Sequence, residues 1–567
     1  MLGIGLLFCF MIVIARLIWI QTWEKEGSFT NFGHKGMVDT TLKPRRGTIY
    51  DCKRQILAVD REAFIIRVDP SRLKDKAAIV AAKLAPVLQI SENDLYTQLT
   101  ENSKSVELGK KSYSIEVKHK VQQIVTELEL QGAIYTYPCI ERFYPMAEQA
   151  AQIIGFLNKE NKAVLGIEKE YNSVLTGTPG DDQYIQTKDG VKIRNGGSAA
   201  PPKAGNDLVL TLDIELQKLV ANKLEKVVQN LEAKQASAAI IDADTGAIKA
   251  MANCPSFNLN NFAKTYSPEK AQNRVLIPVE VGSIFKPVIL ARSIEKGQFN
   301  SNETFSSGSI TINDRTIHDW QRDWGEISYK RAIELSSNVG FVKLAQKLGE
   351  KEITQAMLEY GFGDLTNKYG NTIGIDLPGE GRGCYFGRQL NQLDLATLSF
   401  GQSFTIPPIQ LLPFYSAIAN GGYRVMPYLV QVVREAGSES VLRETTPVYR
   451  QILKPTTATT LQNLLQGVIK NKGTAQELQN INVKYYNEEL LAKTATAQKP
   501  RAIGKGYETN KYICSIICCI PRKEHVNAQV LYISFDEPRV NGELAATNIA
   551  TTVAKEILAE LGENKFN

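Results

Sequence analysis

Apolar positions recur with different periods along this chain, and the changes of period mark its parts. Leu2 to Ile20 is apolar except at Gly3, Gly5 and Arg16. About 20 apolar residues span a bilayer, so this run predicts a transmembrane anchor over residues 1–21. Arg16 can extend its charged head to the interface, and Trp19 and Trp23 suit an interfacial belt. A cleaved signal peptide would show a basic stretch before the run and a small-x-small site soon after it, and neither is there.

Further along, Leu208–Leu212 reads as a strand and Asp213 as the N-cap of a helix. Leu216, Leu219, Val220, Leu224, Val227, Val228 and Leu231 then recur at helical spacing. Ala236–Asp242 and Ala247–Ala252 flank Asp244-Thr245-Gly246, which predicts a hairpin. Ala528–Ser534 reads as another strand. Ile549, Val553, Ile557 and Leu561 form a helical stripe stopped by Gly562. Helices at both ends of an interrupted antiparallel sheet are an α+β pattern. The Pro/Gly-rich stretch Gly196-Gly197-Ser198-Ala199-Ala200-Pro201-Pro202 marks a boundary before it.

Composition narrows the function classes. The 567 residues leave room for more than one domain, and 43% hydrophobic content supports a sizeable core. A net charge of +6 over this length, with no dense basic block, argues against a nucleic-acid partner. The four histidines are isolated, and neither His-Glu-x-x-His nor Cys-x-x-Cys occurs. No metal site and no cofactor is therefore expected. Three of the eight cysteines, Cys514, Cys518 and Cys519, fall in one apolar strand-like run and read as small buried hydrophobes.

The candidate chemistry starts at Ser283-Ile284-Phe285-Lys286. Residues three apart on a helix are neighbours, so the lysine amine is expected to reach the serine hydroxyl. A serine needs such a base to become a good nucleophile. The tetrapeptide pattern alone is weak, since it also occurs at Ser71–Lys74, Ser267–Lys270 and Ser293–Lys296. Two downstream motifs, in a fixed order, give it weight: Ser336-Ser337-Asn338, then Lys493-Thr494-Ala495-Thr496.

On these motifs the chain resembles a class B penicillin-binding protein, a membrane-anchored peptidoglycan transpeptidase, most like the septal type. The flanks agree: Arg46-Gly47-Thr48-Ile49-Tyr50-Asp51, Glu141-Arg142-Phe143-Tyr144-Pro145, Leu165-Gly166-Ile167-Glu168, Asn273-Arg274-Val275, Leu377-Pro378-Gly379-Glu380 and Ile418-Ala419-Asn420-Gly421-Gly422. The resemblance implies a pedestal, or dimerisation, domain over 35–200 and a serine-lactamase-like transpeptidase domain over 205–563. It also implies a single-pass protein of the cell (inner) membrane with its catalytic domain outside the cytoplasm.

The implied reaction cross-links stem peptides ending in D-alanyl-D-alanine through a serine acyl-enzyme, probed and blocked by β-lactams. A separate glycosyltransferase partner would supply the strands. Ser283 would be the nucleophile, Lys286 its base and Ser336 a proton relay. Asn338, Lys493, Thr494 and Thr496 would bind substrate, with the backbone N–H groups of Ser283 and Thr496 as the oxyanion hole. A DD-carboxypeptidase, or a β-lactam-binding scaffold without turnover, are the alternatives.

Two departures from the family stand out. Where it has Arg-Asn-Gly after the aspartate, this chain has Cys52-Lys53-Arg54. Where it has Lys-Thr-Gly, this chain has Ala495, whose methyl is expected to stand against the ligand and alter donor or β-lactam preference.

Overall fold

The computed structural model describes residues 11, 13–15 and 37–562, apart from 104, 110, 111, 187–191, 195–199, 322, 480, 482–488, 502–506, 523–526 and 540–542. The expected anchor over 1–21 falls largely outside them. Among the described residues no helix is long and apolar enough to cross a membrane.

The chain divides into two compact units, Met1–Gly47 with Ser173–Asn206, and Thr48–Asn172 with Asp207–Asn567. In the first, strand Met37–Leu42 pairs antiparallel with Gly180–Gln186, which pairs with Lys192–Arg194.

The second unit begins with a turn. Asp51 Oδ1 accepts the backbone N–H groups of Lys53 (2.9 Å) and Gln55 (2.7 Å). Arg54 takes the left-handed conformation, φ 62°, that a glycine usually supplies. The turn therefore forms without the family's glycine. Beyond it β1 (Ile56–Val68) pairs antiparallel with β2 (Ile134–Phe143). Helices α1 (Ala77–Leu88), α2 (Glu92–Leu99) and α3 (Ile115–Glu127) lie between them in sequence. Val80, Leu84 and Leu88 of α1, Leu95 of α2 and Val121 of α3 close over Ile66 and Val68 of β1 in a separate apolar core.

Downstream, Asp213 caps α4 (Ile214–Asn230), its carboxylate accepting from the N–H groups of Glu215 and Leu216 as its spacing predicts. The predicted hairpin is β3 (Gln235–Asp242) and β4 (Ile248–Cys254). After it come α5 (Lys286–Glu295), α6 (Asn338–Tyr360), α7 (Leu411–Ala419) and α8 (Pro455–Lys470). The chain then forms β5 (Leu491–Pro500), β6 (Tyr507–Ile520) and β7 (Gln529–Asp536), and ends in α9 (Glu543–Gly562).

The five strands order as β4-β3-β7-β6-β5, every pair antiparallel. Helices α4 and α9 pack on this sheet, as do α7 and α8. Adjacent Cys518 and Cys519 of β6 point to opposite faces and are each 1% exposed, so both faces are covered. The result is an α+β sandwich with β5 at the sheet's edge, and this edge positions the site.

Candidate active site

Ser283 lies in a 3₁₀ turn, Gly282–Phe285, that runs directly into α5 at Lys286. Three contacts seat this turn. The N–H of Gly282 donates to the carbonyl of Gly401 at 3.0 Å. Gly401 has φ 81°, and a Cβ there would fall 2.1 Å from the Gly282 carbonyl oxygen, so only glycine fits. Tyr415 Oη of α7 donates to the carbonyl of Ile284 at 2.7 Å. Ser283 itself is half-buried while Gly282 and Ile284 are buried, so the hydroxyl-bearing residue is the accessible one.

Lys286 is fully buried, and its amine has three acceptors among the described residues. They are the Ser336 carbonyl (2.6 Å), Ser336 Oγ (3.2 Å) and Asn338 Oδ1 (2.9 Å). Ser283 Oγ is not one of them, contrary to the expectation from i, i+3 spacing. Spacing tells what an amine can reach along its own helix; it says nothing of a second segment that offers better acceptors.

Lys493 of β5, also fully buried, donates to the same Ser336 Oγ at 2.8 Å and to the Thr494 carbonyl at 2.8 Å. One hydroxyl thus bridges two amines. Thr494 Oγ1 donates to Thr474 Oγ1 at 2.6 Å. Thr496 lies on the same strand, opposite Cys514. The three motifs, far apart in sequence, converge on one knot at the edge of the sheet.

Burial penalises a charged amine. It pushes Lys286 from 10.5 down to about 7, against an opposing pull from Asp319. Burial, with Lys286 nearby, drives Lys493 well below 10.5. An amine titrating near 7 is neutral in roughly half the molecules at pH 7 and can accept a proton.

Ser336 sits at φ 59°, a conformation non-glycine residues seldom adopt. Ser337 is the N-cap of α6, its Oγ accepting from the Gly340 N–H at 3.0 Å. The Ser336-Ser337-Asn338 stretch is therefore both a helix cap and part of the knot.

The Ala495 methyl packs within the protein. Ala495 is 3% exposed. A Cβ built on Gly282 would lie 3.5 Å from the Ala495 Cβ and 3.2 Å from that of Ala497. Alternate residues of β5 thus face the turn that carries Ser283, and the extra methyl packs there.

Sequence reasoning missed several residues that hold the knot. Asp319 grips Ser337 and the Val339 N–H. Glu280 accepts from the Ser403 N–H (3.0 Å) and Tyr507 Oη (3.2 Å), tying the segment before Ser283 to the start of β6. Thr474 receives Thr494. Each is a lone polar residue with no motif around it; Asp319 and Glu280 are buried and Thr474 is half-buried. Among the described residues no cluster of His, Cys, Asp or Glu could hold a metal ion.

Comparison with known proteins identifies relatives of both parts of the chain. Residues 236–559 match the penicillin-binding protein transpeptidase domain model, and residues 41–210 match the penicillin-binding protein dimerisation domain model. Stage V sporulation protein D of Bacillus subtilis is 27% identical over 98% of this chain and 84% of its own. Peptidoglycan D,D-transpeptidase FtsI of Escherichia coli is 28% identical over 74% of this chain and 70% of its own. Among solved structures, penicillin-binding protein 2X from Streptococcus thermophilus superposes with a TM-score of 0.72 at 25% identity, over 93% of this chain and 80% of its own.

Proposed function

The chain belongs to the penicillin-binding transpeptidase family, and from that premise we propose that it cross-links peptidoglycan stem peptides during cell division through an acyl-enzyme on Ser283. The observation that carries this reading is the buried knot of Lys286, Ser336, Asn338 and Lys493 beside the turn that presents Ser283.

In this mechanism neutral Lys286 takes the Ser283 proton as the hydroxyl attacks the penultimate D-alanine carbonyl. That step starts from a state in which the amine leaves one of its three present acceptors; catalytic hydrogen bonds often tighten only with substrate bound. Ser336, bridging both amines, relays the proton to the departing D-alanine nitrogen. An amine from a second stem then attacks the ester, and the same groups run in reverse. The N–H groups of Ser283 and Thr496 receive the oxyanion, worth about 3 kcal/mol per donor.

β5 is the last strand of the sheet among the described residues, and a sheet edge can take an extended peptide as an added strand. Asn338 would then meet a substrate amide. Thr494 and Thr496 would meet the terminal carboxylate, with Lys493 adding positive potential from behind. The Leu2–Ile20 run supports a single membrane anchor, and likeness to the family supplies its orientation, with the catalytic unit outside the cytoplasm. By likeness to the family, the reading includes a glycosyltransferase partner that supplies the strands.

Fluorescent penicillin tests the nucleophile: the wild type is labelled and Ser283→Ala is not. Equal labelling of that variant assigns the wrong serine. D-Alanine release measured with and without an acceptor amine separates the transpeptidase, which consumes the amine, from a carboxypeptidase, which ignores it.

A further inference from the structure

We infer that Asp319 is a positioning residue of this site: it fastens the 336–339 turn and supplies the negative charge that faces the buried Lys286 amine. The inference rests on the reading of Lys286 as the base.

Asp319 is 4% exposed and comes directly after the strand Arg315–His318. Its Oδ1 accepts from Ser337 Oγ at 3.0 Å and from the Val339 N–H at 3.0 Å. Its Oδ2 accepts from Ser337 Oγ at 3.1 Å and from the Gly308 N–H at 3.0 Å. All these donors are neutral, so among the described residues no cation in direct contact spends the carboxylate's charge.

The grip falls on both sides of the groups that hold Lys286. Ser336 and Asn338 carry all three of its acceptors, and Ser337 between them is tied to Asp319. The left-handed backbone of Ser336 is costly and persists only where neighbours over-determine it. Asp319 does so from one side, and the cap on Gly340 from the other. The residue before Asp319 also takes part. The His318 carbonyl accepts from Asn338 Nδ2 at 2.9 Å, which leaves Oδ1 as the end of the amide that meets Lys286.

The charged groups around Lys286 come from several elements. Lys493 of β5 faces it across Ser336. The Phe341 ring of α6 lies 5.4 Å away. Glu334 is engaged by Arg331 and Asn471, and Glu352 and Glu359 are engaged by Arg292 farther along α5. Exposed His318 precedes Asp319. Of the carboxylates among these groups Asp319 is the one whose charge acts on the Lys286 amine, and it opposes the effect of burial.

Acylation needs neutral Lys286, so its rate rises with pH through the titration of that amine. Removing the carboxylate charge makes the amine easier to deprotonate and moves the acid limb to lower pH. The test is the pH dependence of acylation of the full-length protein by fluorescent penicillin. The wild-type limb is expected near pH 7. In Asp319→Asn it moves down by about one unit, with a lower plateau. In Asp319→Glu, which keeps the charge, the midpoint stays and only the plateau falls. If the asparagine variant is insoluble, Asp319→Ser gives the same readout.

An unmoved limb in the neutral variants, or an equal displacement in the glutamate variant, overturns the proposal and leaves Asp319 a packing residue. Loss of Ser283-dependent labelling in the wild type would instead sink the reading of the site itself.

Discussion

Two groups of buried charge in the larger unit are built on opposite plans. Arg142 of β2, with 5% of its side chain exposed, donates to Glu168 at 2.7 Å and to Asp60 at 3.1 Å. Burial alone would lower its pKa, but Glu168, Tyr144 and Asp60 outweigh that and raise it. Lys286 and Lys493 are buried as deeply, touch no carboxylate among the described residues and share one serine hydroxyl. Both are driven down. The first arrangement stabilises charge and can only hold structure. The second destabilises charge and so makes a lysine usable as a base. For Lys286 the fall from 10.5 to about 7 corresponds to roughly 5 kcal/mol against the ammonium form. The lesson is that burial of a cation becomes chemistry only where its partners are neutral.

The comparison breaks most sharply at Lys286. Lys286→Met is expected to slow penicillin acylation by a factor on the order of 10²–10⁴, while thermal stability holds or rises because a poorly solvated amine is gone. A parallel loss of stability would show that the amine is a structural element like Arg142.

Next in size is the opposite side. Glu168→Ala leaves Arg142 with a weakened set of partners and should cost about 3–5 kcal/mol in denaturant unfolding. Acylation per folded molecule should be unchanged. Glu168→Gln, which keeps the shape, serves if the alanine variant does not fold. A selective loss of acylation without a loss of stability would join the two groups and undo the contrast.

The smallest effect sharpens the catalytic side alone. Ala495→Gly removes a methyl packed on the Ser283 turn and adds backbone freedom in a strand, a cost of about 0.5–1 kcal/mol. Because that methyl is buried on the turn, acylation should not accelerate. A clear acceleration would return the methyl to the cleft.

Much of this was legible in the sequence, and the failures have a common cause. The cap at Asp213, the β3–β4 hairpin, the strand now bounded Gln529–Asp536 and the final helix obey local rules, and each formed as its pattern predicts. Arg54 shows the limit of a local rule: a turn that favours glycine closed without it. The acceptors of Lys286, the direction of the Ala495 methyl and the grip of Asp319 all depend on a second segment brought up from afar. Local periodicity carries no record of such neighbours. The helices α1 to α3 differ again: Val80, Leu84 and Leu88 do repeat at helical spacing, but no chemical motif accompanies them.

The sulfur atoms of β6 carry a practical consequence. Cys514, Cys518 and Cys519 are at most 1% exposed. Burial raises Cys514 to about 12 and pushes the other two up as well. Alkylating reagents attack the thiolate, so the closed sandwich shields these sulfurs both by exclusion and by keeping their protons on. Only when the layers part do they become reactive, and every molecule therefore carries three built-in recorders of how often its central sheet opens.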